Sequence, residues 1–570
     1  MKDLFIILIM ISLSIVSCDT LDEDIVSGLT SEYLDTSDGL DAGVNGAYEP
    51  LSTFYGQEEG CNMSVFGTDE YTNAGHGGYH YMNQYIAGLN ADESSFWNLW
   101  SNFYIGINTC NTVVSRASVS DLPDEEKNPK IAEARFLRAY YYFVLVRYFG
   151  PVTLTLEETT DVETEASRSP ESDVYEAIVE DLEFAVSNLP VVQDEFGRPT
   201  QLAAKHLLAL VYLTRGYADY AETDDFATAA SLAESVIHDY GLSLDADPVA
   251  RYDHDNEQHE EILWSVQFDE DPLLMYTDDE DTYGNETHLY FRPWYETYNS
   301  GLVRALGTGY GRPWIRYRPT GWLLNSFRVN GTYDVDSRFN KGFQQVWYYN
   351  SEDGIPAGAS VGDTAIFLTG NHLTRADVDA IEARLPGVIA GKNLYSWHEE
   401  DKGTAWSWYS EDEDGSNNNS LNIFPCPWKF EDNKRPSVNY QEGSRDVIIC
   451  SLPETYLIAA EALLKDNKPD DAVEYVNAIR TRAAYSGKEN KMIISAAELD
   501  LDFILDERSR ELFGEERRWL DLKRTGKLIE RVKLYNLQAA PNIDEHHLLR
   551  PIPANQLTRT SNDYGQNDGY

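Results

Sequence analysis

Two stretches of this 570-residue chain interleave aromatic rings with hydrogen-bonding side chains. Asp69–Trp97 holds Asp69, Tyr71, Asn73, Tyr79, Tyr81 and Trp97, and Tyr290–Tyr317 holds Trp294, Tyr295, Trp314 and Tyr317. A sugar ring has an apolar C–H face for stacking and equatorial hydroxyls for Asp, Asn and Arg, so this mixture suits a carbohydrate. Each ring also has a plainer use in core packing. The composition is skewed the same way, with 37 Tyr and 12 Trp against 21 Phe.

Other chemistries fit the residues less well. Gly358-Ala-Ser-Val-Gly362 matches the G-x-S-x-G nucleophile pattern, which needs a strand before the serine and a helix after it. Here turn residues precede it and the strand-like Ala365–Leu368 follows, so it reads as a turn. Ser410–Leu421 puts Gly415, Asp412 and Asp414 where a calcium loop needs them, but Ser410 and Leu421 take the end ligand positions. Asp253, Asp255 and Glu257, or Asp278, Asp279 and Asp281, are looser candidates for a structural calcium, with a solvated acidic loop as the simpler reading. Asp278 and Asp281 are also the carboxylate pair that a glycoside hydrolase reading would use, and no hydrolysis is expected. His254 with His259, and His76 with His80, lack HExxH spacing, so no zinc is assigned. Cys61, Cys110, Cys426 and Cys450 form no CxxC pair and read as isolated thiols, with one disulfide left open. No cofactor is expected.

The net charge of −51 argues against nucleic acid or an anionic lipid surface as the main partner, and leans toward a neutral ligand. A local basic pocket would override that average. At the N-terminus, Lys2 precedes the apolar run Leu4–Val16 and Ile15-Val16-Ser17-Cys18 closes it. That run is too short to span a bilayer comfortably and reads as an export signal, residues 1–17, with a processing site at Ser17.

The elements that must position the aromatic stretches are mostly helices. Residues 18–36 read as an acidic tether, and 37–244 as a helical region. Within it the pattern predicts helices over Ile131–Phe149, stopped by Gly150 and Pro151, over Ala203–Gly216 and over Phe226–Tyr240. Residues 245–445 are rich in Gly, Pro, Asn and Asp, with short β-like runs at Gln344–Tyr349 and Ala365–Leu368. A loop-rich insertion on a helical scaffold is where ligand contacts are expected. Helices resume over 446–535, with the pair Tyr456–Leu464 and Asp470–Ala483. Small Ala460 and Ala472 allow close helix approach of the tetratricopeptide kind. Ser495 and Glu498 predict a capping box for a helix closed by Gly514, and 536–570 is a C-terminal tail.

Four segments stand in a distinctive order after Cys18: Ala134-Arg-Phe-Leu-Arg-Ala-Tyr-Tyr-Tyr-Phe143 with Tyr148-Phe-Gly-Pro151; Asp336-Ser-Arg338; Ser451-Leu-Pro-Glu-Thr-Tyr-Leu-Ile-Ala-Ala-Glu-Ala-Leu463; and Asp506-Glu-Arg-Ser-Arg-Glu-Leu-Phe-Gly-Glu-Glu-Arg-Arg-Trp-Leu-Asp-Leu-Lys523 with Pro551-Ile-Pro553. Together they resemble the SusD/RagB family of Bacteroidetes outer-membrane lipoproteins. The resemblance implies a mostly α, tetratricopeptide-like scaffold and a non-catalytic surface protein that captures oligosaccharide for a SusC-like TonB-dependent transporter. Peptide capture, as in the RagB branch, is the alternative. It also implies lipidation at Cys18, outer-membrane display, and a glycan site built from the loop ahead of the Trp100-Ser-Asn-Phe-Tyr104 helix and from the central insertion. The charges of the fourth segment, Glu507 to Asp521, read as local pairs three and four apart that pin a helix junction, not as a catalytic centre.

Overall fold

The computed structural model describes residues 33–271, 284–298, 300–307, 309–408 and 421–570. Long helices dominate: Ser94–Val119, Asp124–Phe149, Glu171–Asn188, Gln201–Arg215 and Asp225–His238 pack in succession as antiparallel neighbours. The last of these packs against Leu452–Lys465, which pairs with Pro469–Ala483. Ala460 and Ala472 are fully buried in this joint, where their small side chains let the backbones approach.

From Ile131 onward the helix Asp124–Phe149 is buried nearly all round, which explains its run of three tyrosines. Each hydroxyl finds a partner: Tyr142 Oη donates to Thr155 O at 2.8 Å, Tyr141 Oη to Ala47 O, and the Tyr140 and Tyr55 hydroxyls hydrogen-bond each other. Arg138, on the same helix, forks onto Asp181 at 2.8 and 2.7 Å and donates to Asn111 at 2.7 Å. Gly150 ends the helix at φ 72°, the left-handed region that glycine enters without cost.

The strands are few and short. Ile262–Val266 pairs antiparallel with Val447–Ser451 and closes the neck of the insertion. Inside it, Thr364–Thr369 pairs antiparallel with Val346–Tyr348 and parallel with Leu394–Ser396. The Gly358–Gly362 pattern precedes that central strand, with Gly358 and Gly362 at φ 92° and 94°; it is a turn, with no helix after the serine. The expected capping box does form between Ser495 and Glu498, but on the 3-10 turn Ala496–Glu498. The helix Leu501–Leu512 has its own cap, with Asp500 accepting the Phe503 N–H at 2.8 Å. Cys61, Cys110, Cys426 and Cys450 are free and buried.

The fourth segment is a buried ion network, and its partners are mostly distant in sequence. Arg508 bridges Asp521 at 2.7 Å and Glu454 at 2.9 Å. Glu507 receives Arg338, Arg480 and Arg510 at 2.7, 2.8 and 2.7 Å, while Arg338 also holds Asp336 and Glu511. Of these, only Arg510–Glu507 has the three-residue spacing expected; the rest tie together Asp336-Ser-Arg338, Glu454 and the Glu507–Asp521 segment. Trp519 stacks on Tyr148 with centroids 5.4 Å apart, and the Arg550 N–H donates to Tyr148 O at 2.8 Å. The four segments thus converge on one interior. Burial pushes Glu507 toward protonation, but Arg338, Arg510 and Arg480 outweigh it and hold the carboxyl well below its ordinary range. Such networks add little net stability, yet removing one member leaves a buried charge unpaired, at about 3–5 kcal/mol.

Candidate functional site

The two aromatic stretches are brought together by one ladder. Tyr71–Asn73 pairs antiparallel with Tyr317–Pro319, and the pairing continues as Ala74 N–H to Arg316 O and His76 N–H to Ile315 O, both at 3.1 Å. On its other side the same segment is held by Trp314 N–H to Leu289 O at 3.0 Å and Arg316 N–H to Tyr290 O at 2.9 Å. Between Trp314 and Arg316, buried Ile315 sits at φ 46°, an unusual conformation for a β-branched residue. Its neighbours are therefore presented by a backbone that the surrounding ladder holds in place.

This junction opens into a surface groove of about 400 Å³ lined by His76, Trp294, Glu296, Arg304, Trp314 and Arg316, with Arg312-Pro-Trp-Ile315 forming one wall. Trp294 is 42% exposed, the most open tryptophan of the described residues. Trp314 is half-buried, backed by Tyr290 at 5.7 Å and flanked by the guanidinium groups of Arg312 and Arg316 at 5.7 and 5.5 Å. Arg304 forks onto Glu296 at 2.6 and 2.8 Å and donates to Asn439. Arg316 is held by Glu58, whose carboxyl burial pushes up to about 7 against the pull of Arg316. Arg312 donates to Asn439 O at 3.1 Å and, among the described residues, has no carboxylate within ion-pair distance. Three arginines and one glutamate give the groove a charge opposite to that of the chain.

The other expected site residues divide by burial. Tyr79, at φ 56°, is half-buried with Arg316 6.0 Å above its ring and Tyr81 6.0 Å away. The Tyr81 hydroxyl is taken by Glu93. Trp97 is half-buried under Arg559 at 4.7 Å and is not a wall of the groove. Five expected contacts lie in the interior. Asp69 is fully buried between Arg518, at 2.8 and 2.6 Å, and Arg531, at 2.7 Å. Tyr71 packs edge-on to Phe291, and the Asn73 N–H donates to Gln538. Tyr295 donates to Gly311 O, and Tyr317 donates to Asn62 Oδ1 at 2.8 Å. All five are buried, with the Tyr71 hydroxyl and Asn73 Oδ1 enclosed without a partner among the described residues, so they support the groove from within and do not line it.

Sequence reading missed His76, Glu296, Arg304, Arg312 and Arg316. Charge averaged over the chain hid them, although Arg312 and Arg316 flank Trp314 closely in sequence.

The calcium candidates fare differently. Glu257 accepts the Asp446 N–H at 2.8 Å, and burial with help from Asp446 raises its carboxyl to about 7. Asp253 accepts the Asp255 N–H instead of converging with it on a common centre. Asp278, Asp279 and Asp281, and Ser410 through Asp414 and Gly415, lie outside the described residues, as does Cys18. His254 is buried, and its ring is held down to about 4, first by burial and then by Arg445. Its Nδ1 faces Asn433 Oδ1 at 2.8 Å.

Comparison with known proteins gives matches along the whole length. Residues 260–570 match the family model described as the SusD family, and residues 19–213 match that described as "starch-binding associating with outer membrane". SusD-like protein P2 of Formosa agariphila is 26% identical over 100% of both chains. The starch-binding protein SusD of Bacteroides thetaiotaomicron is 23% identical over 79% of this chain and 74% of its own. Among solved structures, a SusD homolog from Bacteroides thetaiotaomicron superposes with a TM-score of 0.71 at 19% identity, covering 95% of this chain and 98% of its own. A laminarin-binding SusD-like protein gives 0.65 at 21%, covering 94% and 99%. These superpositions establish a shared mostly α-helical, solenoid-like fold.

Proposed function

The chain belongs to the SusD family, and from that premise we propose that it captures glycan on the Trp294–Trp314 groove and hands it to a SusC-like TonB-dependent transporter. It is a non-catalytic surface protein of the outer membrane, held there by a lipid anchor. We assign that anchor to Cys18, ligand reading to the insertion 245–445, and the rigid frame to the helices on either side.

One observation carries the assignment of the site. An exposed indole and a second, half-buried one share an open groove with guanidinium and carboxylate groups, the combination that stacks a pyranose ring and binds its hydroxyls. Arg312, which has no carboxylate partner among the described residues, favours a sugar bearing a carboxylate or sulfate over a neutral one, because guanidinium forks onto such groups bidentately; Arg304 and Arg316 are already engaged by Glu296 and Glu58. The starch and laminarin in the relatives' names are those proteins' own ligands.

Trp294→Ala and Trp314→Ala, run in affinity electrophoresis on a polysaccharide panel, test the platform. Retardation on the cognate glycan is expected to fall by roughly two- to tenfold in each, the scale of one lost stacking contact. Unchanged retardation removes the groove from the site. Mass spectrometry of ligand released from the native transporter complex separates glycan capture from peptide capture.

A further inference from the structure

A second cluster lies in the insertion, at the ends of two parallel strands. Thr364–Thr369 and Leu394–Ser396 run side by side, with Thr369 paired to Ser396. Each chain then leaves the sheet at the same end, so His372 and His398 arrive as neighbours, their rings 5.5 Å apart. The two exits are tied together: Ser396 Oγ donates to Asn371 O at 2.9 Å, and the His398 N–H donates to Ser396 Oγ at 3.1 Å. Glu400 follows on the turn Glu399–Asp401. One donor atom from each of His372, His398 and Glu400 falls within 4.8 Å of the other two.

The ring of His372 is already set for coordination. Its Nδ1 lies 2.7 Å from Asp401 Oδ1, and the Asp401 side chain is fully buried and also accepts the Leu373 N–H at 3.1 Å. A carboxylate can only accept, so Nδ1 carries the ring proton and Nε2 presents a lone pair, 3.7 Å from Glu400 Oε2. A buried carboxylate fixing the far nitrogen of an imidazole is the usual support for a metal-bound histidine. His398 Nδ1 accepts the Glu400 N–H at 3.2 Å. Coordination through either nitrogen gives up that bond: directly at Nδ1, or at Nε2 because the ring proton must then move to Nδ1.

From this geometry we infer that His372, His398 and Glu400 bind a divalent transition-metal ion of the zinc class, which clips the two strand exits together. Two imidazoles and one carboxylate select zinc, copper or nickel over calcium or magnesium. Tetrahedral zinc needs its ligand atoms about 3.3 Å apart, and with Asp401 holding the His372 ring the exposed Glu400 side chain is the one free to rotate toward that spacing. Three protein ligands leave one position open to solvent. The other histidine cluster, Asp544, His546 and His547, is poorer, because the fixed positive charge of Arg550 acts on the His547 ring and would oppose a bound metal.

Calorimetric titration of the full chain, purified in detergent without a histidine tag, with zinc chloride tests the inference. One ion is expected to bind per chain. His372→Ala and His398→Ala should each weaken binding at least tenfold, and Asp401→Asn by about tenfold through loss of ring orientation. His546→Ala should leave the isotherm unchanged, and cobalt should develop the visible absorption of a tetrahedral site in the wild type but not in His372→Ala. His372 and His398 lie toward the surface, and circular dichroism checks that each variant is folded. Wild-type binding weaker than about 1 mM, or binding that His372→Ala leaves intact, overturns the site.

Discussion

Asp69 and Glu516 show how the same residue type is used in two opposite ways in one interior. Asp69 lies between Arg518 and Arg531, and these cations overcome its burial and hold it below the ordinary carboxylate range. Asp69→Ala therefore strands two guanidinium groups and should cost about 3–5 kcal/mol in urea denaturation. Glycan retardation by the folded fraction should be unchanged, because Asp69 does not reach the groove. Glu516 accepts the Gly56 N–H at 3.0 Å, and its other oxygen is buried without a partner. Burial raises it from 4.5 to about 8. Its unfolded form gives up the proton near pH 4.5 while the folded form keeps it, so the folded state loses stability as pH rises from 4.5 toward 8. Glu516→Gln should melt higher than wild type at pH 8, by up to about 4 kcal/mol, with the gap closing toward pH 5. Sequence could not separate these roles. A carboxylate among aromatics looks like a sugar contact until its long-range arginines are known, and Asp69 finds its partners 449 and 462 residues away.

Helices were legible because their signal is local. The 3.6-residue period, Gly150 as a stop and Ala460 opposite Ala472 are all readable within a few turns; the ends are less so, since Asp124–Phe149 begins well before the expected Ile131 and Asp225–His238 stops short of the expected Tyr240. The groove was harder to read because it depends on a three-residue ladder between Tyr71–Asn73 and Tyr317–Pro319, too short for a periodic pattern and joining distant segments. Close helix contact also makes a prediction. A Cβ at Gly106, on Ser94–Val119, would lie 2.6 Å from Cε2 of Tyr141 on Asp124–Phe149. Tyr141 is fully buried and bound to Ala47 O, so it cannot swing away. Gly106→Ala should lower stability by about 1–3 kcal/mol in chemical denaturation, despite alanine's better helix propensity.

Over the whole molecule, charge and anchoring act at different ranges. The chain carries −51, yet its groove is cationic, so an acidic oligosaccharide feels repulsion at a distance and attraction at contact. Screening shortens the first more than the second. Association of an acidic oligosaccharide should therefore speed up with moderate salt in stopped-flow measurements, while Arg312→Ala should mainly raise the dissociation rate. Cys18→Ala should abolish surface labelling of whole cells and leave retardation by the purified protein intact. Gly514, at φ 72° with Phe430 Cε2 and the Tyr71 hydroxyl about 3 Å from where a side chain would begin, shows how tightly distant parts are drawn together at this scale.

That closure has a consequence for biosynthesis. Asp69 is synthesised 449 residues before Arg518, an interval of roughly 20–90 s at ordinary elongation rates. Until then the N-terminal portion holds a carboxylate that has no cation to bury against. A chain released early, before residue 518, lacks both Arg518 and Arg531 and should remain open to proteases, as pulse-chase labelling of truncated products would reveal. The Asp69 charge is therefore matched only once the chain extends through Arg531, and a shorter product cannot close this part of its interior.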